Sequence, residues 1–214
     1  MKHILIADDH AVVRKGMMQI LQDAGLAASI TEAGNGQQAL QAARQKTFDA
    51  ILLDISMPGK SGIEVLKQLK GENIHTPVLV LSMYSEEQYA VRLIRAGAAG
   101  YLTKESAPDL LAEAVQTVML GKRYISPAVA ELLAESLSQR SSAAPEQETP
   151  HRQLTDREFA VFLKLAAGMG PTEIAQGMNL SVKTIASYRA RILQKMGLRT
   201  NAELTLYANR NALL

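Results

Sequence analysis

Ala50-Ile51-Leu52-Leu53-Asp54-Ile55-Ser56-Met57-Pro58 is the stretch from which the architecture can be read. Four apolar residues stand in a row, end on a carboxylate and give way to Pro58-Gly59, a turn signal. A short apolar run of this kind, without alternation, reads as a strand covered on both faces, as in a parallel sheet. Two similar runs lie upstream, at residues 3–7, which meet Asp8-Asp9, and at residues 29–33. Two more lie downstream, at residues 78–82, closing on Ser82, and at residues 99–102, just before Lys104. Between them residues 12–21, 36–45, 62–69, 86–96 and 106–120 carry helical spacing. The last opens with Ser106-x-x-Asp109, a capping box with Asp in place of Glu. Strand and helix in strict alternation predict an α/β fold: a doubly wound five-stranded parallel sheet with right-handed crossovers. Ser126-Pro127 then supplies a cap and a first-turn proline for a sixth helix to about residue 137.

The composition changes at residues 136–153, SLSQRSSAAPEQETPHRQ, where bulky apolar side chains nearly vanish. Such a segment buries too little surface to offset its ordering entropy, so a flexible linker is expected. Three parts follow: residues 1–122, a helix and linker over 123–153, and a second domain over 154–214. The second domain reads as all-helical. Thr155-Asp156-Arg157-Glu158 is a full capping box for a helix to about residue 167. Gly168-Met169-Gly170-Pro171 interrupts, residues 172–178 form a short helix, and Asn179-Leu180 turns the chain. Ser181 caps a longer helix to Met196, Gly197 ends it, and a last helix covers residues 201–209.

The net charge of +2 hides an asymmetry. Residues 1–137 carry −2 and residues 138–150 carry −1, whereas residues 151–214 carry +5. A basic C-terminal part favours a polyanionic partner. The absence of cysteine excludes a disulfide scaffold, thiolate metal sites and thiol catalysis. No apolar run approaches the ~20 residues of a membrane span, and the N-terminus does not read as a secretory signal. A cytoplasmic protein with no membrane partner is the expectation.

In an open parallel α/β sheet, chemistry collects at the carboxyl ends of the strands. There the sequence places Asp8 and Asp9, Asp54, Ser82 and Lys104. Crowded carboxylates repel one another unless a cation neutralises them, and oxygen donors suit a hard divalent ion, Mg²⁺ by preference. Ionised Asp54 is a ready nucleophile at neutral pH, and phosphoryl transfer asks mainly for positioning and charge neutralisation. Asp8, Asp9 and Asp54 would hold the ion, with Lys104 and Ser82 left to pair with phosphoryl oxygens. Gly59-Lys60-Ser61 imitates the end of a nucleotide-binding P-loop, but the glycine needed five residues earlier is Asp54.

Leu5-Ile6-Ala7-Asp8-Asp9-His10, Leu52-Leu53-Asp54-Ile55-Ser56-Met57-Pro58, Val80-Leu81-Ser82 and Gly100-Tyr101-Leu102-Thr103-Lys104 together resemble the receiver domain of two-component response regulators, a flavodoxin-like fold, over about residues 1–121. The resemblance implies that Asp54 accepts phosphate from a sensor histidine kinase. It also implies that the main-chain carbonyl of Ser56 completes the Mg²⁺ site, and that Ser82 and Tyr101 form a switch pair. Two features depart from the commonest pattern. Serine stands at 82, where threonine is as common, and Glu105 rather than proline follows Lys104. If a cis bond were required there, a non-proline one would cost about 2.5–4 kcal/mol.

In the longer C-terminal helix Ile185, Ile192 and Met196 share one face. Lys183, Thr184, Ser187, Tyr188, Arg191 and Lys195 gather on the other. A cationic, hydroxyl-bearing face beyond a short helix and tight turn suits the major groove of double-stranded DNA. Leu154-Thr155-Asp156-Arg157-Glu158, Glu173-Ile174-Ala175 and Leu180-Ser181-Val182-Lys183-Thr184-Ile185 resemble the LuxR-type DNA-binding domain. Behind a receiver, that domain is similar to the NarL/FixJ family over nearly the whole chain. By that resemblance Lys183, Ser187, Tyr188 and Arg191 meet phosphates or bases, and the last helix helps pair two DNA-binding domains. Ala186 and Tyr188 stand where many members carry Lys and His, so individual base contacts do not transfer.

The expected function is therefore a phosphorylation-dependent transcriptional regulator, not an enzyme beyond phosphoryl transfer to Asp54 and slow loss of that phosphate. On phosphorylation Ser82 would swing toward the phosphoryl group and Tyr101 would turn inward. The DNA-binding domain would be released, and a homodimer would bind promoter half-sites, with RNA polymerase as a further candidate partner. Two alternatives stay open. One is a Mg²⁺-dependent phosphatase, although that class wants a second Asp two residues after its nucleophile on the first strand, and position 56 is Ser. The other is a receiver uncoupled from phosphate, acting as a constitutive DNA-binding scaffold.

Overall fold

The structure is a computed structural model that describes residues 2–26, 29–84, 86–141, 150–178, 180–211 and 213–214. The chain divides into two compact units, Met1–Ala134 and Glu135–Leu214. In the first, β1 (His3–Ala7), β2 (Ser29–Ala33), β3 (Ala50–Asp54), β4 (Val78–Ser82) and β5 (Gly100–Thr103) alternate with helices. The helices are α1 (Ala11–Asp23), α2 (Gly36–Gln45), α3 (Gly62–Gly71), α4 (Glu86–Arg95) and α5 (Ala107–Met119). The strands pair in parallel in the order β2-β1-β3-β4-β5, the doubly wound arrangement expected from the alternation. The strand order reverses direction between β1 and β3, so the crevice at their carboxyl ends opens beside Asp8 and Asp54.

Register brings the chemistry to one level. Ala7 pairs with Leu53, Asp54 with Leu81, and Ser82 with Thr103, so the residues that end these strands line a single edge. The central strands are buried on both sides, which is why they read as continuous apolar runs. One face of the sheet, with Ile4, Ile6, Ala50, Leu52, Leu79, Leu81 and Leu102, forms a core with Met17 and Leu21 of α1 and Leu111, Val115 and Val118 of α5. After α5 the backbone returns to the sheet edge, where the Tyr124 N–H donates to the Ala99 carbonyl (2.9 Å).

Two local expectations change. The Ser106 hydroxyl caps no helix; it donates to the Thr103 carbonyl (3.1 Å) and lies 2.7 Å from the Thr103 hydroxyl. The turn from Lys104 to Ser106 brings those groups closer than the first turn of α5. The sixth helix, α6, spans Pro127–Ser141 and so runs into the segment assigned to the linker. Its start is as expected, since the Val129 N–H donates to Ser126 Oγ (3.2 Å). Pro150–Gln153 forms a single 3₁₀ turn, and the rest of the expected linker, residues 142–149, lies outside the described residues. Finally, no described peptide bond is cis, so Lys104 meets Glu105 through an ordinary trans bond.

The second unit holds α7 (Asp156–Ala166), α8 (Pro171–Gly177), α9 (Val182–Met196) and α10 (Asn201–Arg210). The Thr155/Glu158 capping box is complete, and Ser181 caps α9 by accepting from the Thr184 N–H (3.0 Å). Gly197 ends α9 in the left-handed region (φ 66°, ψ 25°), where glycine pays no Cβ penalty. The core gathers Phe159, Phe162, Ile174, Ile185, Ile192 and Leu204. Asn179, in the expected turn, lies outside the described residues. No helix among the described residues is long and apolar enough to cross a membrane.

Candidate functional site

Asp8, Asp54 and Ser82 are 0% exposed, the only fully buried polar side chains in the first unit among the described residues. Lys104 joins them from the loop after β5: its Nζ lies 2.6 Å from Asp8 Oδ2 and 3.0 Å from Asp54 Oδ2. The ammonium bridges the two carboxylates at the distances of charge-assisted hydrogen bonds. Asp54 Oδ1 is better satisfied, accepting from the Ser56 N–H (3.1 Å). Burial pushes the Asp54 carboxyl above the ordinary carboxylate range; the Asp8 charge adds to this, and Lys104 and the Ser56 N–H only partly offset it. For Lys104 burial opposes the charge, but Asp54 and Asp8 outweigh it and hold the ammonium above the usual lysine value.

Asp8, Asp9 and Asp54 therefore meet as their positions at the strand ends require, and Asp9 Oδ1 is buried 2.9 Å from His10 Nδ1. Donor atoms of Asp8, Asp9, His10 and Asp54 all lie within 4.8 Å of one another. Hard oxygens crowded together at a largely buried edge fit a divalent cation. The residues that shape this cluster were not all visible in the sequence. Arg14 donates from Nη1 to the Asp8 carbonyl (2.8 Å) while its Nε donates to Glu32 (2.7 Å), bracing the turn after β1. Gly62 carries the first turn of α3 so close that a Cβ there would stand 2.1 Å from the Asp54 carbonyl oxygen. Ser61 and Glu64 close a capping box over that turn. The Ser61-x-x-Glu64 spacing and the adjacency of His10 to Asp8-Asp9 were sequence signals, whereas nothing in the sequence marked Arg14 or the close approach at Gly62.

The two members of the expected switch pair meet at one residue. Tyr101 is already inward, 1% exposed, and its hydroxyl donates to the Tyr84 carbonyl (2.7 Å). The Tyr84 N–H in turn donates to Ser82 Oγ (3.0 Å). One peptide-bearing residue, Tyr84, is thus clasped by both members of the pair. Burial of the ring and the bond made by its hydroxyl both favour this inward placement.

On α9 Ile185, Ile192 and Met196 are buried, whereas Lys183, Ser187 and Arg191 are exposed and Thr184 and Tyr188 half-buried. Ser187 Oγ donates to the Lys183 carbonyl (3.0 Å). Lys195 departs from the expected groove-facing set. Its Nζ donates to Glu158 Oε2 (2.6 Å), and the Glu158 carboxylate, 3% exposed, also accepts from the Thr155 N–H (2.8 Å). A nearly buried carboxylate needs a cation, and Lys195, in the last turn of α9, supplies one across from it. Arg189 is likewise used inside the domain, donating to Asn201 Oδ1 (2.7 Å).

Burial opposes the Glu158 charge, but the bonds from Lys195 and Thr155 outweigh it and hold its pKa below the ordinary value. A depressed carboxyl stabilises the fold above its unfolded pKa, and that contribution fades as pH falls through the lower folded value. Glu158→Gln is expected to lower stability at neutral pH by roughly 1–2 kcal/mol and to flatten its decline below about pH 4.5. Urea unfolding across pH checks this; parallel curves for both proteins would contradict it. Lys195→Ala should destabilise in the same way.

Comparison with known proteins agrees with both halves. Residues 4–116 match the response regulator receiver domain, and residues 152–208 match the bacterial regulatory proteins of the luxR family. The chain is 35% identical over 214 residues to the response regulator UvrY of Escherichia coli K12, covering 100% of this chain and 96% of that protein. It is 36% identical over 213 residues to the oxygen regulatory protein NreC of Staphylococcus carnosus, covering 99% and 98%. Among solved structures, the complex of the two-component response regulator RcsB with DNA aligns with a TM-score of 0.59 at 25% identity, over 97% of this chain and 98% of that one. A receiver sheet with its acidic edge, followed by a helix-turn-helix of the luxR type, makes this chain a member of the NarL/FixJ family of two-component response regulators, a DNA-binding regulator of transcription.

Proposed function

We propose that Asp54 is the phosphoacceptor through which a sensor histidine kinase controls DNA binding. The observation that carries this reading is the pair of fully buried carboxylates, Asp8 and Asp54, bridged by Lys104 and clustered with Asp9. An Asp54 oxygen attacks phosphorus; the new P–O bond forms as the P–N bond to the donor imidazole breaks, and the departing nitrogen keeps the electron pair and takes up a proton. The carboxylates of Asp8, Asp9 and Asp54 and the main-chain carbonyl of Ser56 would hold a Mg²⁺, which would supply charge neutralisation for the phosphoryl oxygens. Lys104 neutralises a further oxygen from its place 3.0 Å from Asp54. The same arrangement permits slow hydrolysis of the acyl phosphate.

Phosphate adds about −1.5 to −2 charge at the edge of the sheet. The Ser82 hydroxyl accepts from Tyr84 and keeps its own proton to donate to a phosphoryl oxygen. Movement of Ser82 then displaces the Tyr84 main chain, and with it the bond that holds Tyr101 inward. This biases an existing equilibrium rather than creating a new shape. We assign the receiver to residues 1–122, a helix and linker to 123–153 and the DNA-binding domain to 154–214. In the cytoplasm the phosphorylated chain would dimerise on promoter half-sites and present itself to RNA polymerase.

The DNA face comprises Lys183, Thr184, Ser187, Tyr188 and Arg191, without Lys195. Arg191→Ala is expected to weaken binding and to shallow the log–log dependence of affinity on salt by about 0.9 for one lost phosphate contact. Fluorescence anisotropy over a salt series reads this, and an unchanged slope would place Arg191 away from the backbone. Lys104→Ala is expected to slow phosphate uptake from acetyl phosphate by about tenfold or more, or to leave a phosphate that fails to raise DNA affinity. Normal uptake and normal response in that variant would remove Lys104 from the mechanism.

A further inference from the structure

We infer that Thr103 and Ser106 are positioning residues for Lys104: their hydroxyls close the turn that carries the lysine and so hold its ammonium between Asp8 and Asp54. The inference rests on the phosphoacceptor reading above and extends it to two side chains which that mechanism does not use. Ser106 Oγ donates to the Thr103 carbonyl (3.1 Å), and the Ser106 N–H donates to Thr103 Oγ1 (3.2 Å). The two hydroxyl oxygens lie 2.7 Å apart. Since the Ser106 hydroxyl proton goes to the carbonyl, the Thr103 hydroxyl is the donor of that third bond. Both hydroxyl protons are then used inside the turn.

The near side of the turn is fixed as well. Thr103 pairs with Ser82 in the sheet, and the Lys104 N–H donates to the Ser82 carbonyl (2.7 Å). Lys104 is thus held between β4 on one side and the hydroxyl pair on the other. Its stem is flexible, so the place of Nζ depends on where the main chain is held. That ammonium, on a side chain 10% exposed, stands 2.6 Å from Asp8 Oδ2 and 3.0 Å from Asp54 Oδ2 at once. Glu105, inside the turn, is exposed and brings no ring to stiffen it. What Ser106 forgoes points the same way. It stands at the cap of α5 with Asp109 three residues on, yet its side chain makes no cap bond. Its backbone lies in the right-handed helical region (φ −84°, ψ −9°), not the extended one of a capping serine. Local rules are broken where a site claims the residue, and here the claim is the Lys104 turn.

Phosphate uptake by the full-length chain from acetyl phosphate with Mg²⁺, read by intact-mass spectrometry, and the gain in DNA affinity that follows test this together. Thr103→Val keeps the shape and loses the hydroxyl; Ser106→Ala removes the other one. Each is expected to reproduce the Lys104→Ala defect in weaker form, with uptake slowed or the affinity gain reduced by about threefold or more. Thr103→Ser keeps the hydroxyl and should match the wild type. In a Lys104→Ala background neither substitution should add to the defect, because the lysine through which they act is gone. Wild-type behaviour in Thr103→Val and Ser106→Ala overturns the inference. So does a defect of equal size with and without Lys104, the result for side chains that only hold the fold. The same loss in Thr103→Ser as in Thr103→Val also overturns it, since the hydroxyl is then not the cause. Lys104→Ala by itself separates the two levels. If it is defective while Thr103→Val and Ser106→Ala are not, only the hydroxyl pair falls. Normal uptake and normal response in Lys104→Ala remove the lysine from the mechanism, and the pair with it.

Discussion

Full-length protein carrying Asp54→Asn is expected to take up no phosphate from acetyl phosphate in the presence of Mg²⁺, while keeping its fold. Asparagine has nearly the shape of aspartate, and its carbonyl oxygen can still accept the Ser56 N–H that now reaches Asp54 Oδ1. Lys104 retains Asp8 at 2.6 Å. What is lost is the anionic oxygen, and an amide oxygen is a far poorer nucleophile, so the uptake rate should fall by about a hundredfold or more. Removing one of three crowded carboxylates should also leave thermal stability in the absence of divalent ions unchanged or raised, because burial and Asp8 both disfavour the Asp54 charge. Intact-mass spectrometry after incubation reads the uptake. Full stoichiometry in the variant would locate the phosphate elsewhere.

The second large effect belongs to a residue with no chemistry of its own. A Cβ on Gly62 would stand 2.1 Å from the Asp54 carbonyl oxygen and 2.8 Å from Ile55 Cα, both main-chain atoms that cannot rotate away. Overpacking of a core costs about 1–3 kcal/mol and sometimes more, and here relief requires moving the backbone that carries the phosphoacceptor. Gly62→Ala is expected to destabilise by about 3 kcal/mol and to slow phosphate uptake by tenfold or more even where the fold persists. Gly71, at the other end of α3, has nothing within 4 Å of its Cβ position. Gly71→Ala should be neutral or stabilising by about 0.5 kcal/mol. Equal midpoints for the two variants in urea would contradict the close approach.

These two positions show what a linear sequence can and cannot carry. The sheet was readable because buried parallel strands are apolar runs, and because Asp8, Asp54, Ser82 and Lys104 each end or follow one. The capping serines and threonines of α7 and α9 were readable because a cap and its partner are three residues apart. The close approach at Gly62, the Arg14 brace and the Lys195–Glu158 pair join positions far apart in sequence, or a side chain to a main chain, and periodicity says nothing of either. Lys195 illustrates the limit well. Its helical angle placed it on the cationic face, but the buried carboxylate 37 positions earlier claims its ammonium. The inward Tyr101 has the same origin, since a rotamer depends on which hydrogen bond the neighbouring loop offers.

The most direct test of the account is the affinity of the full-length protein for promoter DNA, measured by fluorescence anisotropy at fixed salt, with Mg²⁺ and with or without acetyl phosphate. The account predicts tighter binding by wild type after phosphorylation and no change in Asp54→Asn. Identical affinities for wild type in both conditions, with phosphate shown to be on Asp54, would contradict it.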